Sequence, residues 1–476
     1  MQAQSETPPE ALPQMTGNPR GGGLERRGIE RVLPGDRQHL NLLDNFTLWL
    51  SANLVISTVA LGALAIPVFR LGFWNSLSDI IIFTALGTLP VAFFATLGPR
   101  LGLRQMTISR FSFGWNGAKI MALFNVAACI GWSAVGVLIS AQILTTLSGG
   151  KLPIAFGVLV IAILTTAVSI YGYHYVHRYE RYAWLPMAAI FLILTASTLP
   201  QMHIVPAASS GVEELAGWIS FGGVVFGSAI GWSSYAADYT VNQPEQTASI
   251  RVFWLTFGGI FLPCVLLEVL GMSLTTAGFP LPANQSGGGT LVALALHPLG
   301  DLGSFLLIVL ALGMVANNIP NDYSLGLSMQ VLGRGFHRIQ RPVWTVLGAL
   351  CYVTIALIAA HHFDTLLANF LLVVAYWLGP WSIILLLEHF HIRRGNYEAE
   401  HWNTRDRLPK GWAALVAMGA GFLGVYLGAA QALFVGPLAE WLNPPNGMDV
   451  GFEMGVLLAA LTYLLLRPWE RRWEGR

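Results

Sequence analysis

The sequence has few charged residues and few cysteines for its length. Charged side chains make up 11% of the 476 residues, whereas hydrophobic side chains make up 54%. A soluble chain would carry roughly 25% charged residues, so this composition excludes an ordinary soluble domain and predicts an integral membrane protein with several spans. The formal net charge is only +1, and no nucleic-acid partner is therefore expected.

The cysteines and histidines show no metal-ligand pattern. Cys129, Cys264 and Cys351 lie far apart inside apolar runs and have no CxxC spacing, which excludes a disulfide framework. The histidines His297, His361 and His362 fall near the ends of apolar runs without partners at a useful spacing. We therefore expect no metal, no cofactor and no membrane-bound enzyme.

The first 44 residues lack the apolar run of a signal peptide. They are polar and rich in proline, glycine and arginine, a composition that is typical of a disordered tail. Residues 1–44 are accordingly predicted to be a disordered cytoplasmic tail.

The rest of the chain contains apolar runs of about 20 residues, the length that crosses a bilayer. These runs predict twelve membrane-spanning helices near 46–69, 77–97, 118–147, 153–171, 183–200, 217–240, 251–276, 303–330, 343–360, 364–388, 412–434 and 450–467. With this number of spans, both termini lie on the same side of the membrane. No remaining segment is long enough to form an ATPase domain, so any transport must be driven by a gradient.

The distribution of basic residues supports this topology. Of the 26 lysines and arginines, only Arg70 and Lys151 fall on the side opposite the termini. Basic residues favour the cytoplasmic side. A multi-pass protein of the plasma membrane with cytoplasmic termini is therefore predicted.

The eighth predicted span has an unusually polar end, Leu312–Tyr323. It carries Asn317, Asn318 and Asn321 around Pro320, which should break or kink the helix. Freed backbone is tolerated in a bilayer where it lines a cavity or is buried in protein. The pattern therefore favours an interrupted helix whose carboxamides bind a small polar ligand. The alternative is a proline kink whose asparagines only join neighbouring helices.

The third span places Trp132 on one helical face with small and polar residues, namely Asn125, Cys129, Gly136 and Ser140. This face suits a flat heterocycle stacked on the indole, although close helix packing is an equal alternative. In the sixth span, Trp232 lies near mid-depth in a run rich in glycine and serine, which favours a second interrupted helix and a second pocket wall. In the first span, Asn53 and Ser57 lie four residues apart and could complete a ligand shell.

Three carboxylates at membrane depth are candidates for carrying a proton: Glu268, Asp238 and Asp322. Glu268 stands among apolar neighbours, where burial disfavours the charged form. A permanently protonated Glu268 that bonds to another helix is an equal alternative, and Asp238 and Asp322 could instead cap helix ends.

Together, these segments resemble the nucleobase:cation symporter-1 family, in particular its purine–cytosine permease branch, from about residue 40 to residue 470. The resemblance rests on four motifs: Gly98–Gly114, Asn125 to Gln142, Gly231–Thr240 and Ala316–Tyr323. It implies an all-α integral membrane protein of about twelve helices, the first ten forming a five-plus-five inverted repeat with breaks in helices one and six. The implied divisions are a transport core at 45–390, a cytoplasmic loop at 391–411, two additional helices at 412–467 and a cytoplasmic tail at 468–476.

The resemblance also implies roles for individual residues. Trp132 and Trp232 would sandwich a base, and Asn317, Asn318 and Asn321 would read its edge, with Pro320 shaping the turn between them. The branch usually carries Asn or Gln where this chain has Gly136, a difference that leaves room for a larger or differently substituted ring.

The coupling ion is predicted from a missing side chain. Sodium-coupled relatives use hydroxyls of helix eight as ligands, but residues 305–323 contain neither serine nor threonine. The leading hypothesis is therefore proton-coupled import of cytosine or a purine by alternating access. The alternatives are a transporter of another ring compound, such as a vitamin precursor or a hydantoin-like molecule, and a non-transporting membrane receptor.

Overall fold

The structure is a computed structural model that describes residue 25 and residues 27–279, 288–360, 363–431 and 434–475. Most of these residues are helical. The strands of the described part are β1 (Ala430–Gln431) and β2 (Phe434–Val435), an antiparallel hairpin in which Ala430 pairs with Val435 and Gln431 with Phe434. This hairpin lies where the eleventh predicted span was expected to end.

The α-helices follow one another along the chain with short connections. In order they are α1 (Leu43–Asn53), α2 (Ile56–Gly62), α3 (Phe73–Ala95), α4 (Leu97–Leu101), α5 (Gln105–Ile108), α6 (Arg110–Leu147), α7 (Ile154–Tyr171), α8 (Tyr173–Thr198), α9 (Val212–Ile230), α10 (Ser249–Leu274), α11 (Gly288–Leu296), α12 (Gly300–Val331), α13 (Arg334–Arg338), α14 (Arg341–Ala359), α15 (Phe363–Leu387), α16 (Trp412–Gly428), α17 (Pro437–Leu442) and α18 (Gly451–Trp473). Short 3-10 turns occupy Pro34–Asp36, Leu199–Gln201, Gly231–Tyr239, His297–Leu299, Ala399–Asn403 and Arg405–Arg407, and a π-helical turn occupies Glu388–Ile392.

Each of the twelve predicted spans has a helix or a helix pair at its position. Among the described residues, 10 helices are long and apolar enough to cross a membrane, and α1 with α2 adds a bent span. The helix of the eleventh predicted span, α16, has only 17 residues and ends at Gly428. The all-α integral membrane fold is thus confirmed, whereas the count of twelve spans stays a prediction.

The first span is broken between α1 and α2. Helix α1 ends at Asn53, Val55 is extended (φ −138°, ψ 162°), and the two helices are bent by 62°. The Thr58 hydroxyl donates to the Asn53 carbonyl at 2.8 Å. This bond satisfies a backbone acceptor that the break would otherwise leave unpaired in the bilayer.

The sixth span changes its helical form near its end. Helix α9 ends at Ile230, and the chain continues as a 3-10 helix over Gly231–Tyr239, within which Tyr235 departs from helical geometry (φ −145°). The breaks in the first and sixth spans agree with what the family resemblance implied. The five-plus-five repeat itself stays a prediction.

The predicted interruption of the eighth span is wrong. Helix α12 runs without a break through Pro320, although proline removes a backbone donor. All residues at 313–328 are buried, and α12 packs closely against α6 and α7. Because neighbouring helices surround this segment, packing keeps the helix continuous where the isolated sequence favours an interruption.

Part of the predicted disordered tail is packed on the helix bundle. Residues 27–42, named the N-terminal strap here, bury Ile29 and Val32, and the Val32 amide donates to the Gly102 carbonyl at 2.8 Å. The strap crosses the end of the bundle that carries Arg104 and Arg341, named the basic end here. Apolar side chains within an otherwise polar segment account for this packing; residues 1–24 and 26 of the predicted tail lie outside the described residues.

Candidate functional site

Trp232 stands at the start of the distorted part of the sixth span, and the first span holds its ring in place. Its indole N–H donates to Oδ1 of Asn53 at 2.9 Å. The ring packs edge-on against Trp49, with 5.3 Å between the ring centroids. The broken end of α1 therefore fixes the orientation of this tryptophan.

Trp132 on α6 lies close to the backbone of the sixth span next to Trp232. A Cβ added to Gly231 would lie 3.3 Å from the Trp132 indole, so this ring rests against the backbone next to Trp232. Its other neighbour is Phe370 of α15, in an edge-to-face contact with 5.2 Å between the centroids. Trp132 is only half-buried, which leaves part of its surface available for stacking.

Two of the three predicted carboxamides are bonded within the protein. Asn317 donates to the Ala52 carbonyl at 2.7 Å. Asn321 accepts the Tyr235 hydroxyl at 2.6 Å and donates to the Asn317 carbonyl at 3.3 Å. These bonds tie α12 to the broken ends of the first and sixth spans.

Asn318 differs from its neighbours. Its Nδ2 makes a long hydrogen bond of 3.4 Å to the Ser133 carbonyl, and its buried Oδ1 has no partner among the described residues. A Cβ on Gly136 would collide with this oxygen. Gly136 thus makes room for the Asn318 side chain, and the predicted extra room for a larger ring at this position is wrong.

The grouping of Asn53 with Ser57 on one helical face is also wrong. The break between α1 and α2 separates them, because the four-residue spacing holds only within a continuous helix. Asn53 Oδ1 meets the Trp232 indole and also accepts the Cys264 thiol at 3.5 Å. Ser57 lies half-buried in α2.

The three candidate carboxylates lie in different environments. Asp322 accepts three hydroxyls, from Ser133, Thr166 and Tyr352, each at 3.2 Å. The Asp238 carboxylate accepts the backbone N–H of Gln105 at 2.8 Å and so caps the start of α5. This agrees with the alternative interpretation of Asp238 as a helix cap. Asp322 bonds to side chains of other helices instead of capping a helix end.

Among the described residues, the Glu268 side chain on α10 has one hydrogen-bond partner, the Thr84 hydroxyl on α3 at 3.3 Å. On the same helix as Thr84 lies Asp79, which is fully buried and whose two carboxylate oxygens have no partner among the described residues. The backbone of Glu268 is so close to α2 that any side chain at Gly62 would collide with it. This carboxylate pair borders the broken first span.

Several residues of this region were missed at the level of sequence. Tyr235 and Tyr239 project hydroxyls onto α12, to Asn321 and, at 2.7 Å, to the Pro320 carbonyl. Asp79 was overlooked inside an apolar run. The two tyrosines four residues apart in Gly231–Thr240 were a usable signal, since their spacing predicts one polar face on a helix.

A second cluster, His39, Asp44 and His177, has ligand atoms within 4.8 Å of one another. These groups are already bonded: Arg181 donates to both oxygens of Asp44 at 2.8 and 2.6 Å, and Nε2 of His177 meets the Tyr239 carbonyl at 3.0 Å. The guanidinium group neutralises the carboxylate that a cation would need. The cluster therefore works as a hydrogen-bonded joint between α1, α8 and the sixth span.

Solved structures share this fold. The structure titled as Mhp1, a nucleobase-cation-symport-1 family transporter in a closed conformation with bromovinylhydantoin bound, matches with a TM-score of 0.73. It is 13% identical, and the match covers 94% of this chain and 95% of that chain. At this identity the likeness shows the fold alone, a multi-pass bundle of membrane-spanning helices.

Sequence comparison then identifies the family. The family described as permease for cytosine/purines, uracil, thiamine and allantoin matches residues 33–458. Purine-cytosine permease fcyB of Emericella nidulans is 40% identical, over 95% of this chain and 90% of that protein. Purine-cytosine permease FCY2 of Saccharomyces cerevisiae is 37% identical, over 95% and 87%. The chain belongs to this permease family, a family of transporters rather than enzymes, and the resemblance stated from its motifs is confirmed.

Proposed function

We propose that this protein is a secondary active symporter that imports a nucleobase, cytosine or a purine or both, together with protons by alternating access. Membership of the permease family supports the substrate class. The structural observation that carries the proposal is the buried Oδ1 of Asn318, which has no hydrogen-bond partner in the described part of the chain. An unpaired buried acceptor destabilises a protein by about 1–3 kcal/mol, and an N–H group of a bound base would satisfy it.

Recognition of the base follows from the arrangement around Asn318. Cytosine and adenine carry an exocyclic amine, and hypoxanthine carries ring N–H groups, so each offers a donor to a carboxamide oxygen. Trp132 offers a half-buried indole for stacking, and Trp232 is held rigidly by Asn53. In this proposal the indoles provide affinity, whereas Asn318 provides the choice among bases.

Asn317 and Asn321 take a different part in this proposal. Their hydrogen bonds to Ala52 and Tyr235 join the segments that must move relative to α12 when access alternates. Pro320 supports the same joint, because its carbonyl accepts the Tyr239 hydroxyl. These residues shape the site and transmit the movement of the two broken spans.

The proposed coupling ion is a proton. Residues 305–323 of α12 contain neither serine nor threonine as a sodium ligand, and the first aliphatic hydroxyl after them, that of Ser324, is 3.1 Å from the Tyr239 hydroxyl. Glu268 is the leading proton carrier because it is buried with one hydrogen-bond donor. Asp322 is the next candidate, and Asp238 is the weakest because it caps α5.

The proposed location is the plasma membrane, with both termini in the cytoplasm. The support is the strong bias of lysine and arginine to one side of the predicted topology. The basic end, with Arg104 and Arg341, would then face the cytoplasm. The lipid bilayer is the one permanent partner in this proposal.

Competition for uptake distinguishes this function from transport of another ring compound. Proteoliposomes carrying the protein should take up labelled cytosine, and unlabelled purines should compete more strongly than nucleosides, thiamine or hydantoins. Uptake should collapse when the proton gradient is dissipated and persist when choline replaces sodium. Stronger competition by a vitamin or a hydantoin would overturn the substrate, and dependence on sodium would overturn the coupling ion.

A further inference from the structure

The N-terminal strap is fastened to the turn that follows α4. The Arg31 guanidinium donates to the Leu101 carbonyl at 3.0 Å, and the Val32 amide donates to the Gly102 carbonyl at 2.8 Å. Arg37, which is itself buried, donates to the Pro99 carbonyl. These bonds use backbone carbonyls, so they hold the strap in one register on the bundle.

The other side of the strap lies on the end of α12. A Cβ added to Gly28 would collide with the Gln330 side chain, and Glu30 pairs with His337 of α13 at 3.3 Å. Burial raises the pKa of Glu30, but the hydrogen bond and charge interaction with His337 and the backbone hydrogen bonds at Glu30 and Gly28 together outweigh it and keep that pKa below its ordinary value. The strap thus connects the segment after the second span to the end of the eighth span.

Just before the strap, Glu25 enters a recess at the basic end. Its Oε2 accepts the Tyr173 amide at 2.8 Å. Its Oε1 accepts the Tyr323 hydroxyl at 3.2 Å and an Arg104 N–H at 3.4 Å. Arg341 stands 4.0 Å from Oε2. A side chain at Gly172 would occupy the place of the Glu25 carboxylate.

The recess is built to hold an anion. The guanidinium groups of Arg104 and Arg341 are both buried, at 1% and 0% side-chain exposure, and lie 5.5 and 4.6 Å from the centre of the Tyr323 ring. Among the described residues, Glu25 is the only carboxylate within 4.0 Å of either group. Backbone carbonyls of Asp238, Ser169 and Ile170 also accept from these guanidinium groups. A buried cation still needs a nearby negative charge, and Glu25 contributes one to both arginines.

The recess lies directly below the candidate site. Tyr323 follows Asn321 by two residues in α12, and its ring centroid is 5.8 Å from that of Tyr239, the last residue of the distorted sixth span. The walls of the recess come from the turn before α5, the start of α8, α12 and the start of α14. A carboxylate bound in the recess joins these four segments at the basic end.

We propose that Arg104, Arg341 and Tyr323 form a carboxylate-binding site, that Glu25 of the chain's own N-terminal segment occupies it, and that this contact keeps the basic end closed. The gating half of the proposal rests on the proposed transport function. The binding half does not, because it concerns only the contact between the strap and the bundle.

Limited proteolysis of the full-length protein in detergent tests the binding half without any substrate. Trypsin cleaves after Arg27 and Arg31, which the bound strap protects. Glu25→Gln should speed this cleavage about tenfold, the change expected when a charged acceptor is lost. The cleavage rate of Glu25→Asp should lie between those of the parent chain and Glu25→Gln. The matched control is Glu245→Gln, the same change at a partly exposed carboxylate 3.9 Å from Arg37 of the strap, which should leave the rate unchanged.

A second variant keeps the conclusion independent of Glu25 itself. Tyr323→Phe removes one donor to the Glu25 carboxylate. Introduced into the parent chain, it should speed cleavage less than Glu25→Gln does, and introduced into Glu25→Gln it should not speed cleavage further. Equal cleavage of Glu25→Gln and Glu245→Gln would overturn the carboxylate site.

Transport tests the gating half. In proteoliposomes, Glu25→Gln should raise the ratio of cytosine efflux to cytosine uptake, because the basic end opens more readily. Faster cleavage with an unchanged ratio would overturn the gating role while the carboxylate site stands. Absence of cytosine transport in the parent chain would count against the proposed function, and proteolysis would still decide the binding half.

Discussion

The interface between α6 and α12 and the interface between α3 and α10 both bury carboxylates. They differ in how many hydrogen-bond donors each carboxylate receives. Asp322, at the first interface, receives hydroxyls from three other helices. Glu268, at the second interface, receives one, and Asp79 beside it receives none from the described residues. A carboxylate with three donors is held in place as part of the architecture, whereas one with a single donor can change its protonation state without breaking a network.

The same contrast exists within α12 itself. Asn317 donates to the first span and Asn321 accepts from the sixth span, while the oxygen of Asn318 has no partner among the described residues. Two of the three neighbouring asparagines therefore join α12 to the broken spans, whereas the proposal assigns the oxygen of the third, Asn318, to a ligand. The predictions below test this division between satisfied and available polar groups.

The largest expected effect follows from replacing Glu268. Glu268→Gln keeps the shape of the side chain and mimics the protonated acid, so concentrative uptake should fail while exchange of preloaded substrate persists. Uptake and counterflow in the same proteoliposomes measure the two activities. Asp322→Asn is the comparison: it alters a network of three hydroxyls and should weaken uptake and exchange together. Full accumulation by Glu268→Gln would assign the proton to Asp322, Asp238 or another group.

Removal of the indoles comes next in size. Trp132→Ala and Trp232→Ala should each weaken base binding by roughly 1–3 kcal/mol, the range for one stacked base. Trp232→Ala should have the larger effect, because it also releases Asn53. Equilibrium binding of labelled base to purified protein measures both, with Trp74→Ala, an exposed tryptophan of α3, as control. Affinities equal to that of the parent chain would contradict the stacking role.

The sequence was sufficient to locate the helices but not to distinguish the three asparagines from one another. Apolar runs report span positions directly, since membrane thickness sets their length. The partner of Asn321 is Tyr235, 86 residues away, and that of Asn318 is Ser133, 185 residues away. Whether a polar group is satisfied depends on such distant pairs, which local spacing does not reveal. The same limit explains the continuous helix at Pro320 and the packed strap.

Asn318 and Gly136 should control selectivity. A site that hydrogen-bonds a ligand rejects analogues that lack the matching group, so Asn318→Ala should change the ranking of cytosine, adenine and hypoxanthine. Gly136→Ala should do so as well, because the added methyl group displaces the Asn318 oxygen. Competition assays with the three bases give the ranking. A uniform loss for all three bases would indicate a folding role for Asn318.

The smallest expected effect concerns the bond between the sixth and eighth spans. Tyr235→Phe removes the hydroxyl that donates to Asn321 at 2.6 Å and should lower stability by about 1 kcal/mol, the net value of one hydrogen bond. All bases should be affected equally, because this bond positions the helices and leaves Asn318 unchanged. Thermal unfolding in detergent measures the loss, and a double-mutant cycle with Asn321→Ala isolates the pair. A coupling energy near zero, or a changed ranking of bases in Tyr235→Phe, would show that Asn321 belongs with Asn318 among the groups available to the ligand.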